Sequence, residues 1–129
     1  MTRILCVSHE WNLGFDTLRS LTDANFHVTT ASSGGEAIRH FTDGSYDAVI
    51  VNRRLPDMPL CDLLNCVKNH AADLPVIMIS NVMPVPEKPE RVNAVIGRHY
   101  AAELLVPMLV LLLPHHAPAA ADDTLLQSA

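Results

Sequence analysis

The sequence is poor in cysteine, in basic residues and in long apolar runs, and each shortage excludes a class of protein. Three cysteines among 129 residues cannot form the disulfide framework of a small secreted domain, so a reducing compartment is expected. Nine Lys and Arg residues against 14 Asp and Glu residues give a net charge of −5, which argues against a basic surface for nucleic acid or anionic lipid. The longest apolar run has about ten residues, half of what a membrane span needs. Because the chain also opens without an apolar stretch of signal-peptide length, we expect a cytoplasmic protein with no membrane contact.

What the chain does contain is a globular composition and a regular alternation of apolar and amphipathic segments. Apolar residues make up 49% and charged residues 18%, as in one domain with a real core. Four short segments are mainly apolar, which predicts parallel strands buried on both faces, and a fifth, residues 26–31, is rich in β-branched residues and threonine, which also predicts a strand. These predicted strands are residues 3–8, 26–31, 47–52, 75–80 and 92–96. The segments between them have apolar residues at helical spacing, which predicts helices over residues 11–24, 33–43, around 60–67, and over 100–113.

Two local signals mark the second of these helices. Ser33 and Glu36 have the spacing of a capping box, which begins a helix. Gly44 is expected to end the same helix in a left-handed turn.

The alternation predicts an α/β domain: a three-layer, doubly wound, five-stranded parallel sheet. Pro84, Pro86 and Pro89 lie close together before the fifth strand, so the fourth helix of such a fold is expected to be short or missing. Residues 1–114 are expected to form the domain and residues 115–129 a C-terminal tail.

Sites in doubly wound sheets lie beyond the carboxyl ends of the strands, where the strand order reverses. The polar residues at these ends are therefore the candidate site. They are Ser8, His9 and Glu10 after the first strand, Asn52 at the end of the third, and Ser80 at the end of the fourth.

Four segments in this order resemble the receiver domain of two-component response regulators, a flavodoxin-like fold. They are residues 4–10, 31–37, 46–58 and 74–80. The resemblance implies a signalling module of a phosphorelay rather than an enzyme. In such domains an aspartate at the end of the third strand accepts a phosphoryl group from a phosphohistidine, next to a Mg²⁺ ion held by an acidic pair after the first strand. A hydroxyl residue after the fourth strand and a lysine after the fifth contact the phosphoryl group.

Position by position, this chain departs from most of that pattern. The acceptor position is Asn52, the acidic pair falls on Ser8 and His9, and the lysine position falls near Gly97, with Arg98 beside it. Glu10, which follows the pair, and the hydroxyl of Ser80 remain. A carboxamide is not a useful nucleophile, and Mg²⁺ prefers anionic oxygen ligands. The sequence therefore predicts a degenerate receiver with no metal, no cofactor and no phosphoryl transfer, which acts through protein–protein contacts.

Several of these residues keep alternative interpretations. Asn52 either mimics one signalling state or is simply a hydrogen-bonded residue at a strand end. Arg53 and Arg54 either bind an anion near the pocket or, as we favour, are structural. A metal site at His9 and Glu10 is disfavoured because adjacent residues rarely point the same way.

Two further features of the sequence concern the helices. Cys61 and Cys66 lack redox spacing and are interpreted as buried structural thiols.

The last predicted helix has apolar residues on two sides. At 3.6 residues per turn, one side is a sufficient core face, made of Leu104, Leu105, Met108, Leu111 and Leu112. The opposite side contains Val106, Val110 and Leu113. Either this side is a partner surface, most simply of a symmetric homodimer, or Pro107 kinks the helix and turns its second half inward.

Two rival functions are weaker. A small flavodoxin-like enzyme or ligand-binding domain is disfavoured because no glycine-rich phosphate loop follows the first strand. Direct nucleic-acid binding is not expected, since no helix-turn-helix segment follows the receiver-like region and the net charge is −5.

Overall fold

The computed structural model describes residues 2–8, 14–80 and 91–114. In these ranges five strands form one parallel sheet with the order β2-β1-β3-β4-β5. The strands are β1 (Thr2–Val7), β2 (Phe26–Ala31), β3 (Ala48–Asn52), β4 (Val76–Ser80) and β5 (Ala94–Gly97). The helices are α1 (Gly14–Asp23), α2 (Gly34–Asp43), α3 (Leu60–His70) and α4 (Ala101–Leu112), with a 3₁₀ turn over Arg98–Tyr100 before α4.

This architecture confirms the predicted doubly wound, five-stranded fold. From β1 the chain turns to β2 on one side and then to β3 on the other, so the strand order reverses between β1 and β3. The segment predicted to hold a short or missing fourth helix, residues 81–90, and the predicted tail, residues 115–129, lie outside the described residues.

The core occupies both faces of the sheet, because successive residues of a strand point to opposite faces. One face carries residues such as Leu5, Val49 and Met78 and is covered by α2 and α3. The other face carries residues such as Ile50 and Ile77 and is covered by α1 and α4. A sheet buried on both sides needs strands that are apolar throughout, which is why the apolar segments were informative.

Helix α2 begins at the predicted capping box and ends at the predicted glycine, with two differences. The Ser33 side chain accepts a hydrogen bond from the Glu36 amide at 3.1 Å, as expected. The Glu36 carboxylate returns to the amide and hydroxyl of Ser32, at 3.0 and 2.7 Å, rather than to Ser33. Gly44 is extended (φ −161°), so the left-handed turn was wrong. A Cβ at Gly44 would lie 3.2 Å from the Arg3 guanidinium, a contact that a small shift of this flexible side chain would relieve, so space alone does not require a glycine there.

Helix α4 buries a face that overlaps the predicted one only in part: Leu105 is buried and Met108 and Leu112 pack against the core, as predicted. Ala101, Leu105 and Leu109 are buried, whereas Leu104 is 44% and Leu111 77% exposed. The observed buried face lies roughly 60° around the helix from the predicted one. The helix is apolar on nearly every side, so its own periodicity could not select the face. The helix runs continuously through Pro107, and beyond the proline Leu109 is buried while Val110 and Leu111 are exposed.

Candidate functional site

The polar residues predicted at the strand ends lie along one edge of the sheet. Val7 pairs with Val51, so Ser8 and Asn52 follow at the same level on neighbouring strands. Asn52 pairs with Ile79 on β4, and Ser80 pairs with Gly97 on β5. The structure thus brings Ser8, Asn52, Ser80 and Gly97 to the edge where the strand order reverses. His9 and Glu10 lie outside the described residues.

Asn52 and Ser80 are almost completely enclosed at this edge. Asn52 is 7% exposed and Ser80 is 0% exposed. Asn52 continues the alternation of Ala48 and Ile50, on the face covered by α1 and α4. Within the described ranges, the Asn52 side chain makes no hydrogen bond, although its carboxamide has two N–H donors and one acceptor oxygen.

Arginines stand directly beyond two of the strand ends. Arg53 and Arg54 follow Asn52, and Arg98 follows Gly97; all three are exposed. The Arg53 amide donates to the Ile79 carbonyl at 3.0 Å, which fixes the start of the β3–α3 loop against β4. Arg53 and Arg54 form no ion pair with any residue that the structure describes.

Asp57, in the same loop, is a functional candidate that the sequence reasoning missed. Its two carboxylate oxygens accept hydrogen bonds from the amides of Gly34 and Gly35, both at 2.9 Å. These bonds to the first turn of α2 lower the pKa of the Asp57 carboxyl. The contact joins residues more than twenty positions apart, so no local pattern could have revealed it.

The cysteines do not add chemistry to this edge. Cys61 is exposed on α3 and Cys66 is half-buried, so the prediction of two buried thiols was wrong for Cys61. Residues at spacings of three and four fill the buried face of α3: Leu60 is half-buried, and Leu63, Leu64 and Val67 are buried. The buried thiol is Cys6 in β1, where burial raises the pKa to about 12. A thiol with that pKa stays protonated and unreactive at neutral pH.

The side chains at this edge of the sheet determine which ligands it could bind. The described residues that end or directly follow β1, β3, β4 and β5 carry hydroxyl, carboxamide and guanidinium groups and no carboxylate. No group of three or more His, Cys, Asp or Glu side chains suited to a metal ion occurs among the residues described. Hard cations such as Mg²⁺ require anionic oxygen ligands, so these donors do not fit one.

The family-level comparison is decisive. The model of the response regulator receiver domain matches residues 5–95. The chain belongs to this family. It is thus a receiver domain of two-component systems, a kind of domain that acts in signalling with protein partners. Within the described ranges, no helix is long and apolar enough to cross a bilayer.

Individual relatives agree with this assignment. The uncharacterized transcriptional regulatory protein YcbL of Bacillus subtilis (strain 168) is 38% identical over 60 residues, which cover 46% of this chain and 26% of that protein. The match therefore spans about a quarter of this relative's length.

Two solved structures show the same fold. The response regulator TrrA of Thermotoga maritima, in complex with Mg²⁺-BeF, has a TM-score of 0.76 at 22% identity and covers 88% of this chain and 100% of its own. The chemotaxis response regulator CheY4 of Vibrio cholerae has a TM-score of 0.76 at 22% identity and covers 88% of this chain and 99% of its own.

Proposed function

We propose that this chain is a cytoplasmic receiver that accepts no phosphoryl group and signals through protein–protein contacts. The observation that carries the proposal is Asn52 at the tip of β3, the acceptor position of the family resemblance. It is accompanied by Ser8 at one of the two acidic positions and by Gly97 near the lysine position.

Each replacement removes a different part of the phosphoryl-transfer chemistry. Asn52 has no carboxylate to attack phosphorus, so an acyl phosphate cannot form there. Ser8 offers a neutral hydroxyl where the metal site needs an anionic oxygen. Gly97 has no side chain to contact the transferred group where the family has a lysine, and the arginine beside it, Arg98, is one residue later. Because three separate functions are missing, we expect no single reversion to restore phosphorylation.

The test is incubation of the whole chain with acetyl phosphate and MgCl₂, followed by intact-mass measurement. We expect no mass gain of one phosphoryl group in the wild type or in Asn52→Asp, since Ser8 and Gly97 remain in both. CheY4 of Vibrio cholerae, treated in parallel, shows whether the reagent is active. A phosphorylated wild-type chain that loses the modification in Asn52→Ala would overturn the proposal.

The proposed contact surface is the outer side of α4. The sequence predicted Val106, Val110 and Leu113 for this role, and this stays a prediction. Val110 is 47% exposed, whereas Val106 and Leu113 are partly buried against the core. The structure adds an exposed stripe beside Val110, which we call the α4 stripe. It consists of Tyr100, Leu104, Pro107 and Leu111.

The α4 stripe suits a second copy of the same helix. Its residues are four, three and four positions apart, the spacing with which two helices pack along a seam. Glu103 is the only charged residue in α4, so the surface has no charge that requires an oppositely charged partner. A twofold dimer buries one patch against itself, and an antiparallel crossing would keep the two Glu103 carboxylates apart.

The oligomeric state in solution tests this surface. We expect a dimer by light scattering, and a monomer for Leu111→Glu and Val110→Glu, because each places a charge in an apolar contact. Asn69→Glu, on the exposed side of α3, is the matched control and should leave the dimer intact. A wild-type monomer at all concentrations tested would contradict the homodimer.

A further inference from the structure

Two consecutive residues of the β3–α3 loop hold it against the first turn of α2. The Asp57 carboxylate accepts hydrogen bonds from the amides of Gly34 and Gly35, both at 2.9 Å. The Met58 side chain fills the space that a side chain at position 34 would occupy, since a Cβ on Gly34 would lie 2.5 Å from its Sδ, 2.7 Å from its Cγ and 2.9 Å from its Cε atom. Asp57 and Met58 together form what we call the loop–α2 contact. It has a polar part and an apolar part, and both involve the same glycine.

Met58 differs from the other methionines that the structure describes. It is half-buried and packs against the core cluster under α2 and α3. Met78, in β4, is 1% exposed. Met108 is also half-buried, but it belongs to α4 on the opposite face of the sheet. Of the three, only Met58 is both partly open to solvent and in contact with the start of α2.

Oxidation of Met58 would alter the loop–α2 contact in two ways. In the reaction with hydrogen peroxide, a sulfur lone pair attacks one peroxide oxygen, the O–O bond breaks, and the other oxygen leaves as water with both protons. The first effect is steric, because the Met58 side chain already fills the space beside Gly34. The second effect is polar, because a sulfoxide oxygen needs a hydrogen-bond donor, and the amides of Gly34 and Gly35 are already bonded to Asp57. Within the contact, the oxygen is therefore either left unpaired or takes an amide from Asp57, and both outcomes weaken the contact.

We infer that Met58 is a reversible oxidation site, and that its sulfoxide releases Asp57 from Gly34 and Gly35. The modifying reagent is a peroxide, and methionine sulfoxide reductases reverse the reaction. Release frees the β3–α3 loop, which starts directly after Asn52, from α2. The inference goes beyond the proposed function, since it involves neither the acceptor position nor a phosphoryl group.

The test is amide hydrogen exchange of the full ¹⁵N-labelled chain, measured by NMR before and after treatment with hydrogen peroxide. Dithiothreitol is added after the treatment, because it reduces disulfides of exposed thiols such as Cys61 but does not reduce methionine sulfoxide. Peptide mass mapping reports which methionines carry an added oxygen. The amides of Gly34 and Gly35 lie in the first turn of α2, so their protection reports the bonds to Asp57. We expect a sulfoxide at Met58, an unmodified Met78 and roughly tenfold faster exchange at both glycines.

Two variants calibrate the measurement. Met58→Leu keeps an apolar side chain of similar volume and contains the same other methionines, so peroxide should leave the exchange of both glycines unchanged. Asp57→Ala lacks the acceptor without any oxidation, and the oxidised wild type should match its exchange rates. The amide of Ile50, in the middle of β3, should stay protected throughout, which shows that the domain remains folded. Treatment with methionine sulfoxide reductases A and B should restore the original rates.

Each of the following results would overturn the inference. A Met58 that stays reduced while free methionine in the same solution is oxidised would show that it is no oxidation site. An oxidised Met58 with unchanged exchange at Gly34 and Gly35 would show that the sulfoxide does not release Asp57. Equal acceleration in Met58→Leu, or lost protection at Ile50, would assign the effect to another methionine or to unfolding. All of these results leave the proposed function standing, because acetyl phosphate and intact-mass measurement test it separately.

Discussion

At the scale of single residues, Asp57 shows how one side chain holds two loops of the carboxyl edge together. It fixes the β3–α3 loop, which begins just after Asn52, to the first turn of α2 through the amides of Gly34 and Gly35. Helix N-termini leave their first amides without partners inside the helix, and here a residue from a distant loop supplies the acceptor. The β3–α3 loop beside the candidate site is thus held to α2 by a contact between residues distant in the sequence.

Removing this carboxylate should destabilise the domain in a pH-dependent way. The pKa of Asp57 is lower in the folded chain than its ordinary value of about 3.9, so its contribution is fully present above that pH. The contribution disappears as the pH falls through the lower pKa of the folded state. We therefore expect Asp57→Ala to lower the urea midpoint near neutral pH, with the difference from wild type shrinking below about pH 4.

Asp43→Ala is the control for this measurement, because Asp43 is exposed at the opposite end of the same helix. It should not lower the midpoint, since a carboxylate near a helix C-terminus is unfavourable to begin with. Glu36 also has a lowered pKa, from its hydrogen bonds to Ser32, so both variants should still lose some stability in acid. A difference between Asp57→Ala and wild type that does not change with pH would contradict the role of the charge.

The same scale shows what the sequence could and could not predict of the site. Asn52 and Ser80 were predictable because they are the polar residues at the ends of two apolar strands. The resemblance to receiver domains also placed them at the acceptor and hydroxyl positions. The surroundings of the Asn52 side chain, which has no hydrogen bond to a described residue, and the contact of Asp57 with α2 depend on which atoms other segments bring close. Nothing within a few residues of either position encodes that.

At the scale of elements, strands were easier to predict than helix faces. Strands β3 and β4 are buried at every position, so their residues must be apolar on both faces of the sheet. Helix α4 was harder because Leu104 and Leu111 are as apolar as Leu105 and Leu109. Which of the two pairs is buried depends on how α4 packs against the sheet, and the sequence of the helix does not contain that information.

Helix α4 also carries a proline that its packing tolerates. Pro107 has no N–H to donate to the carbonyl of Glu103, and its ring crowds that carbonyl, yet the helix continues to Leu112. We expect Pro107→Ala to raise the free energy of unfolding by about 1–3 kcal/mol, because alanine restores the hydrogen bond and removes the crowding. Urea denaturation measures the change. Pro114→Ala, just beyond the helix, is the control and should have little effect. An unchanged urea midpoint in Pro107→Ala would show that the surrounding helix already accommodates the proline ring without strain.

At the scale of the whole molecule, the two core clusters tie the beginning and the end of the domain together. The cluster under α1 and α4 combines Ile4 of β1 with Leu105 and Leu109 of α4. The alternation of segments predicted this architecture because a parallel sheet requires a crossover helix between strands, and crossovers have a fixed hand. The boundary at residue 114 stays a prediction; among the described residues, the last buried core residue is Leu109 of α4.

A shortened chain tests that boundary. Residues 1–114 contain all core residues that the structure describes, so we expect a chain ending at 114 to unfold with the same urea midpoint and the same slope as the full chain. The slope is informative because it scales with the surface exposed on unfolding. A chain ending at 104 loses Leu105 and Leu109, both at most 1% exposed, and should not fold. If ending the chain at 114 lowered the free energy of unfolding by more than about 1 kcal/mol, part of residues 115–129 would belong to the folded domain, and the boundary would have to move.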